Sequence, residues 1–323
     1  MQRRQLITAA ALAPGLSLLP AAAQVPAPAL PGTVKYVVPF AAGGLTDVMA
    51  RMAARQLADG LGIAVVVENK AGGNAQIGAD QVAKGPADGS QILAITMAHA
   101  ANVSLFPNAP YNFARDLRPV ALLAGVPMLV VVPADSPIKT LADLVSASRS
   151  RVLNAGSSGN GTPPHLTMAL FGEMNKVGMT HVPYRGGAPS MVDLIGGRLD
   201  VIFSNFPESI AHVNSGKLRA LALCSAQRHP QLPNVPTTAE AGMPKLLVEN
   251  WTAAMVQAKT PDAVVDRYSR ELIKLMFTPE IEERARAMGF LPKPMGRDAF
   301  ASFLTSEIDR WSQLIRAAKI SVT

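Results

Sequence analysis

The sequence is poor in cysteine, in aromatic residues and in clustered charge. Its 323 residues include one cysteine, Cys224, which excludes an internal disulfide and a metal cluster built on cysteines. Aromatic residues make up 5% of the chain and the basic residues do not form runs, so the basic patches and stacking surfaces of nucleic-acid-binding proteins are missing. We therefore expect no nucleic-acid partner. The apolar neighbours Leu221–Leu223 predict a buried structural thiol at Cys224.

Long uninterrupted hydrophobic runs are missing too. The run Leu6–Leu19 is broken by a proline and a glycine and is too short to cross a bilayer. Because Arg3 and Arg4 precede it and three alanines follow it, residues 1–23 are predicted to be a cleaved export signal. The arginine pair is typical of twin-arginine signals but also occurs in ordinary ones. We expect a periplasmic protein that begins with a flexible leader, residues 24–32.

Removal of the signal leaves a mildly basic mature chain. The two lost arginines reduce the basic residues from 30 to 28 against 23 acidic ones, so the net charge falls from +7 to +5. This small surplus suits an anionic small ligand but does not establish one.

Motifs for catalysis and for cofactor binding are missing as well. Residues Gly156–Gly161 have neither the Gly-x-Ser-x-Gly spacing of a hydrolase nucleophile nor the Gly-x-Gly-x-x-Gly spacing of a dinucleotide site. The five histidines show no metal-ligand spacing. The sequence therefore predicts no enzymatic activity, no cofactor and no metal site, with a periplasmic enzyme acting on a carboxylate as the alternative.

What the sequence does contain is a regular alternation of strand-like and helix-like segments. This alternation is typical of an α/β protein with mostly parallel sheets flanked by helices. Helix starts are marked by the N-cap residues Thr140, Thr162 and Thr260, and an amphipathic pattern predicts a long last helix over residues 297–318. The predicted strands are Lys35–Val38, Ala64–Glu68, Ile92–Met97, Val120–Val132, Val152–Asn154, Thr180–Val182, Val201–Phe203 and Leu218–Leu223.

One apolar run suggests two domains. Val120–Val132 is too long for one ordinary strand, and a glycine and a proline break it in the middle. We interpret it as a strand that leaves one domain and enters another. The predicted arrangement is a lobe 1 formed by residues 33–125 and 243–323, a lobe 2 formed by residues 126–242, and a cleft between them.

The most informative stretch, Val37–Asp47, is a short strand that breaks into a glycine pair and continues as a helix. Glycines let the backbone approach a ligand, and the free N–H groups at a helix start can bind an anion. Open α/β sheets bind their ligands at such strand–helix turns. The alternative is that the turn only connects two elements. The predicted carboxylate contacts are Phe40, Gly43, Gly44, Leu45, Thr46 and Asp47.

Several separate motifs resemble one family. Their order and spacing are similar to the markers of the Bug family, the periplasmic solute receptors of tripartite tricarboxylate transporters. The motifs are Pro39–Asp47, Val66–Asn74, Ala87–Gly89, Tyr184–Pro189 and Pro233–Gly242.

The resemblance implies a two-lobed, venus-flytrap binding protein that captures an organic acid without a cofactor and without catalysis. It implies that backbone N–H groups from loops of both lobes hold the carboxylates, with water bridges to the first lobe. The implied partners are the membrane permease subunits of a tripartite tricarboxylate transporter, and we expect a monomer. A receptor that serves a signalling partner is the alternative.

The remaining candidate contacts lie in the matching loops of the resemblance. A role as helix cap only is the alternative at Thr162, and a histidine satisfied by neighbouring backbone is the alternative at position 99. At position 204, where many relatives carry aspartate, the neutral serine favours a plain carboxylic acid over an acidic amino acid. These candidates are Ala98, His99, Ser157, Thr162, His165, Tyr184, Gly186, Gly187, Ala188 and Ser204.

Overall fold

The structure, a computed structural model, describes residues 29–320. The predicted signal, residues 1–23, and the first part of the predicted leader lie outside the described residues. The strands are β1 (Thr33–Val38), β2 (Ala64–Asn69), β3 (Gln91–Thr96), β4 (Leu117–Pro133), β5 (Leu153–Ser157), β6 (Met179–Pro183), β7 (Val201–Asn205), β8 (Leu218–Leu223), β9 (Glu249–Gln257) and β10 (Leu291–Met295).

Helices alternate with these strands. They are α1 (Leu45–Leu61), α2 (Gln76–Ala83), α3 (Met97–Leu105), α4 (Phe113–Asp116), α5 (Leu141–Ser150), α6 (Pro163–Asn175), α7 (Gly187–Ile195), α8 (Phe206–Asn214), α9 (Asp262–Phe277), α10 (Pro279–Ala287) and α11 (Arg297–Ala317). Within residues 29–320, no helix combines the length and the apolar character that crossing a bilayer requires.

The α/β fold class is confirmed, and every predicted strand is present. The strands β2, β1 and β3 are parallel neighbours, and so are β6, β5 and β7. The structure adds antiparallel pairs, because β4 and β9 run against the strands beside them. Two sheets result, one with β1, β2, β3, β9 and β10 and the other with β5, β6, β7 and β8, and β4 belongs to both. Each sheet is mixed, because the pairings of β4 are antiparallel.

The long apolar run is one continuous strand, β4, and neither Gly125 nor Pro127 ends it. Residues 117–127 of β4 pair with β9, and residues 128–133 pair with β7 and β8. Register shifts early in the β4–β9 pairing change the course of the strand without ending it. Pro127 lies where the partner strand changes, so its missing N–H falls at the end of a ladder. The division into lobes near residues 125 and 242 stays a prediction.

Two strands were not predicted from the sequence. β10 contains Pro292 and Pro294, which argue against a strand, but it lies outside the main strand order and pairs only with β4. An edge position tolerates proline because one side of the strand needs no partner. β9 shows no regular alternation of polar and apolar residues, and it is buried along almost its whole length.

The predicted last helix is confirmed as α11. It buries Phe300, Leu304 and Trp311 against the core. The buried carboxylate of Glu307 accepts hydrogen bonds from the indole nitrogens of Trp311, at 3.1 Å, and of Trp251 in β9, at 2.9 Å. These hydrogen bonds attach α11 to β9. They also stabilise the fold, because a buried polar group of this kind is costly when it has no partner.

Candidate functional site

A cleft of about 890 Å³ lies at the carboxyl ends of the parallel strands of both sheets. Its walls come from the loops after β1 and β2 on one side and from the loops after β5 and β6 on the other, with Asn205 and Asn250 at the base. This is where open α/β sheets bind ligands. A smaller cavity of about 310 Å³ beside α6 lies at the amino end of β6, at Met179, away from this cleft.

The cleft brings together many of the predicted contacts from both halves of the protein. Residues from the β1–α1 loop face residues that precede α6 and α7. Those that line it are Phe40, Gly44, Leu45, Thr46, Thr162, Tyr184, Gly186 and Gly187. Their contact with a ligand stays a prediction.

The start of α1 presents free backbone donors to this cleft. The N–H groups of Leu45 and Thr46 have no hydrogen-bond partner within residues 29–320, as is usual for the first residues of a helix. Gly44 is the N-cap residue, and no side chain caps the helix there. The positive end of the helix dipole therefore meets the cleft with its donors open.

Asp47 shapes the loop and does not line the cleft. Its carboxylate accepts hydrogen bonds from the N–H of Gly43 at 2.9 Å, from Arg51 at 2.9 Å and from Asn69 at 3.0 Å. Burial by itself would raise the pKa of Asp47, but these hydrogen bonds outweigh it and hold the pKa below its usual value. Asn69 also donates to the carbonyl of Phe40 at 3.1 Å. Gly43 and Asp47 thus bind each other and fix the turn.

The start of α6 has few donors, although its loop is rich in glycine. Pro163 and Pro164 occupy the first two helical positions and have no N–H. The N–H of Gly161 donates to Nδ1 of His165 at 2.9 Å, and the hydroxyl of Thr162 donates to the carbonyl of Gly159 at 2.7 Å. The backbone of this helix start is therefore poorly suited to bind an anion.

The start of α7 is the better anion site in this half of the protein. The N–H groups of Gly187 and Ala188, its first two residues, have no partner among the described residues. Gly186 has a φ of 108° and donates its own N–H to the carbonyl of Ser158 at 3.2 Å, which ties the two loops together. The Tyr184 hydroxyl donates to Asp193 at 2.6 Å, so its ring is held as part of the wall.

His99 lies beneath the cleft. Its Nδ1 accepts a hydrogen bond from the N–H of Thr96 at 3.1 Å and completes the cap of α3. Burial lowers the pKa of His99 to about 4, so the ring is neutral. It packs edge-on against Phe40 with the ring centres 6.0 Å apart. His99 and the neighbouring buried Ala98 therefore support a wall of the cleft from behind.

Ser157, His165 and His181 form a polar cluster at the start of α6, in which Ser157 and His165 are buried and His181 is partly buried. The Ser157 hydroxyl lies 2.6 Å from Nε2 of His181, whose ring stacks on His165 at 3.8 Å. Burial lowers the pKa of each histidine to about 4, and the two rings also disfavour charge on His165. Ser157 is fully buried. The cluster orders the loop before α6 and presents no nucleophile to the cleft.

Several polar residues of the cleft are not among the predicted contacts, and they include Asn205, Glu208 and Asn250. Asn205 follows a predicted strand, where a polar residue is a recognisable signal, and Glu208 comes three residues later. Asn250 lies in β9, which was itself not predicted. By contrast, Ser204 is fully buried and its hydroxyl donates to the carbonyl of Asn205 at 2.8 Å. The predicted buried thiol of Cys224 is confirmed, and burial raises its pKa to about 12.

The fold and the cleft define a solute-binding protein of the two-sheet α/β type. Residues 49–320 match the model of the tripartite tricarboxylate transporter family receptor. The chain belongs to this family, whose members are solute-binding proteins and not enzymes. The predicted resemblance is thereby confirmed.

Individual proteins show the same relationship over most of the chain. BugT of Bordetella pertussis is 35% identical over 88% of this chain and 88% of its own length. The R. palustris protein Rpa4515, solved with adipate, is 34% identical with a TM-score of 0.85, and covers 90% of this chain and 98% of its own. The periplasmic binding protein BugD is 31% identical with a TM-score of 0.83 and the same coverage.

Proposed function

We propose that this protein is a periplasmic receptor that captures a small organic acid in the cleft and delivers it to the membrane subunits of a tripartite tricarboxylate transporter. One observation carries the proposal: the open helix starts of α1 and α7 face a single cleft from opposite sides. Each offers unpartnered N–H groups at the positive end of a helix dipole.

The energetics of such a site suffice for a receptor. A hydrogen bond to a charged group contributes about 1.5–3 kcal/mol. Several such bonds, less the cost of immobilising the ligand, lead to an affinity on the order of micromolar. No arginine clamp is required. Among residues 29–320, Arg185 is the one arginine that lines the cleft, and it is exposed.

The similar proteins support the ligand class and the compartment. The structure of the R. palustris protein contains adipate, a dicarboxylate, and BugD is described as a periplasmic binding protein. The predicted export signal agrees with that compartment. The family description supports a transporter as the partner that receives the ligand.

A thermal-shift screen tests the proposal directly. The protein is melted with mono-, di- and tricarboxylates and with acidic and neutral amino acids. A ligand at about 100 times its Kd adds about 2.7 kcal/mol of stability. We expect a rise in melting temperature with carboxylates, and recovery of the ligand unchanged after incubation. No rise with any acid would contradict capture, and conversion of the ligand would favour an enzyme.

A further inference from the structure

The two sides of the cleft touch each other at the turn before α6. Gly161 of this turn is buried and lies against Asn74, in the loop after β2, and Leu105, the last residue of α3. The turn follows β5 of one sheet, whereas Asn74 and Leu105 follow β2 and β3 of the other. The contact therefore joins the two sides of the cleft directly.

No side chain fits at Gly161. A Cβ atom there would come within 2.6 Å of Cδ1 of Leu105 and within 2.9 Å of Nδ2 of Asn74. Both distances are shorter than the separation at which non-bonded atoms pack. Gly161 also has a φ of 65°, in the left-handed region that favours glycine. The backbone of one side can therefore approach the other side closely only because a side chain is absent here.

Asn74 is held in place from its own side of the cleft. Its Nδ2 donates to Oδ1 of Asn102 at 2.9 Å, and Nδ2 of Asn102 donates to the carbonyl of Asn74 at 2.8 Å. Asn102 is a buried residue of α3. Asn74 has a φ of 54° and a ψ of 49°, a conformation that persists only where the surroundings fix it. The pair of amides thus fixes the surface that Gly161 meets.

The turn that contains Gly161 is held in place from the opposite side. The N–H of Gly161 donates to Nδ1 of His165, which is buried in the first turn of α6. The hydroxyl of Thr162 donates to the carbonyl of Gly159. Among the described residues, no hydrogen bond joins Gly161 to Asn74 or Leu105. Each surface is shaped by its own side of the cleft, so the contact can form and break as a unit.

We infer that Gly161, Asn74 and Leu105 form a latch, a packing contact that favours the closed arrangement of the cleft and breaks when its two sides separate. Packing is short-ranged, and a gap of about 1 Å forfeits up to about half of the attraction. The latch raises the population of the closed arrangement before a ligand binds, and apparent affinity rises in proportion to that population. This consequence for affinity rests on the proposed function.

Gly161→Ala inserts a methyl group into the latch. Gly62→Ala, at the end of α1, is the matched control. The φ of Gly62 is 66°, against 65° for Gly161, and a Cβ atom at Gly62 has no atom within 4 Å. Both variants therefore carry the same backbone strain, and a difference between them reports the collision across the cleft.

Pulsed electron spin resonance on the ligand-free protein measures the opening. Nitroxide labels on Val66→Cys in β2 and Val192→Cys in α7 report the distance between the two sides, because both side chains are exposed, at 54% and 62%. The native Cys224 is fully buried and should remain unlabelled. We expect Gly161→Ala to shift the distances to longer values and Gly62→Ala to leave them as in the wild-type protein.

Leu105→Ala tests the latch from the other side, and it still does so if Gly161→Ala fails to fold. Leu105 does not line the cleft, and its truncation removes the atom nearest to the added methyl group. By itself, this variant should loosen the latch and lengthen the distances. Combined with Gly161→Ala, it should shorten them again, because the new methyl group fills the vacated space. A distortion confined to the turn would not be rescued in this way.

Calorimetry with adipate, the acid present in the structure of the similar R. palustris protein, links the latch to binding. We expect Gly161→Ala to bind adipate about tenfold more weakly, since affinity follows the closed population, and Gly62→Ala to bind it as the wild-type protein does. Melting curves show whether each variant is folded.

The outcomes separate the latch from the proposed function. Equal distances in Gly161→Ala and Gly62→Ala, or a lengthening that Leu105→Ala does not reverse, would overturn the latch and leave the receptor intact. If neither adipate nor any other carboxylate binds, the proposed function fails, and the distances still decide whether the latch exists.

Discussion

At the scale of single residues, the same hydrogen bond from a glycine N–H to a side chain fixes two of the loops that face the cleft. The third residue of α1, Asp47, and the third residue of α6, His165, each accept the N–H of the residue before the N-cap, Gly43 or Gly161. Both glycines have positive φ. The two side chains differ in chemistry, but each closes its turn and leaves the rest of the loop to form the wall.

Gly44→Val tests the anion site at the start of α1. A Cβ on Gly44 would meet only the carbonyl oxygen of Ala41, at 3.4 Å, and φ is −76°, so the loop tolerates a side chain. The added bulk lies where a carboxylate approaches the backbone. We expect the acid found in the screen to bind about tenfold more weakly, a loss of about 1.4 kcal/mol, as measured by calorimetry.

Gly178→Val is the control for this substitution. A Cβ at Gly178 has no atom within 4 Å, and Gly178 does not line the cleft. Equal affinities of the Gly44→Val variant and the wild-type protein would contradict the anion site at this helix start.

The stacked histidines predict a loss of stability in acid. His165 and His181 have a pKa of about 4 in the folded protein and about 6.5 when unfolded. Between these values the unfolded chain binds more protons, so stability is full above about pH 6.5 and falls as the pH approaches 4. Each histidine can change the unfolding equilibrium by up to about tenfold per pH unit in this window.

Urea unfolding at a series of pH values measures this effect. We expect His181→Gln, which keeps an acceptor for Ser157, to show a smaller dependence on pH than the wild-type protein. His212→Gln, in a partly exposed part of α8, serves as the control. An identical dependence in His181→Gln and the wild-type protein would show that the buried pair is not the cause.

At the scale of elements, prolines distinguish two helices that follow similar glycine-rich loops. α6 has prolines at its first two positions, and α7 has Gly187 and Ala188 there, with open N–H groups. The local sequence therefore decides which helix start can bind an anion, because proline removes the donor while leaving the helix intact.

Ala188→Pro tests the role assigned to α7. Proline is tolerated in the first turn of a helix, and Gly187 before it adapts to the restriction that proline places on its neighbour. The change removes one donor, so we expect about a tenfold loss in affinity for the acid, consistent with one charge-assisted hydrogen bond.

Ala142→Pro makes the same change at the second position of α5. Ala142 is exposed and away from the cleft. Calorimetry and melting curves on both variants separate binding from stability. Unchanged binding by Ala188→Pro would mean that this half of the protein holds the ligand through other groups.

At the scale of the whole molecule, one strand, β4, connects the two sheets. β4 pairs with β9 along its first part and with β7 and β8 along its second. Gly125 of β4 lies opposite Trp251 of β9, and the Asn250–Asn205 hydrogen bond lies at the same level. We propose that this region is the hinge about which the two sides of the cleft move, since hinges commonly absorb their change at a few residues.

Small-angle scattering tests this movement. If the two sides close on the ligand, a saturating concentration of the acid should reduce the radius of gyration, because the protein becomes more compact. An acid that gives no thermal shift in the screen, at the same concentration, is the control. A profile that a saturating ligand leaves unchanged would count against closure.

The elements of the fold could largely be predicted from the sequence, because their signals are local. Apolar runs, N-cap residues and the amphipathic pattern of α11 depend on neighbours within a few residues. The turn before α1 belongs to the same class of signal, since its glycines and its helix start are adjacent in the chain. The predicted strands are confirmed because their signals lie within each strand.

Only the tertiary structure decided which residues share the cleft and how the sheets meet. Asn250 contacts Met97 and Asn205, which are 153 and 45 residues away in the chain, and Glu208 lies against Gly187 in another helix. The orientation of β9 likewise depends on pairing with two distant strands. No local pattern encodes such contacts, because they arise from the packing of whole elements, whereas the type of each element follows from periodicity along the chain.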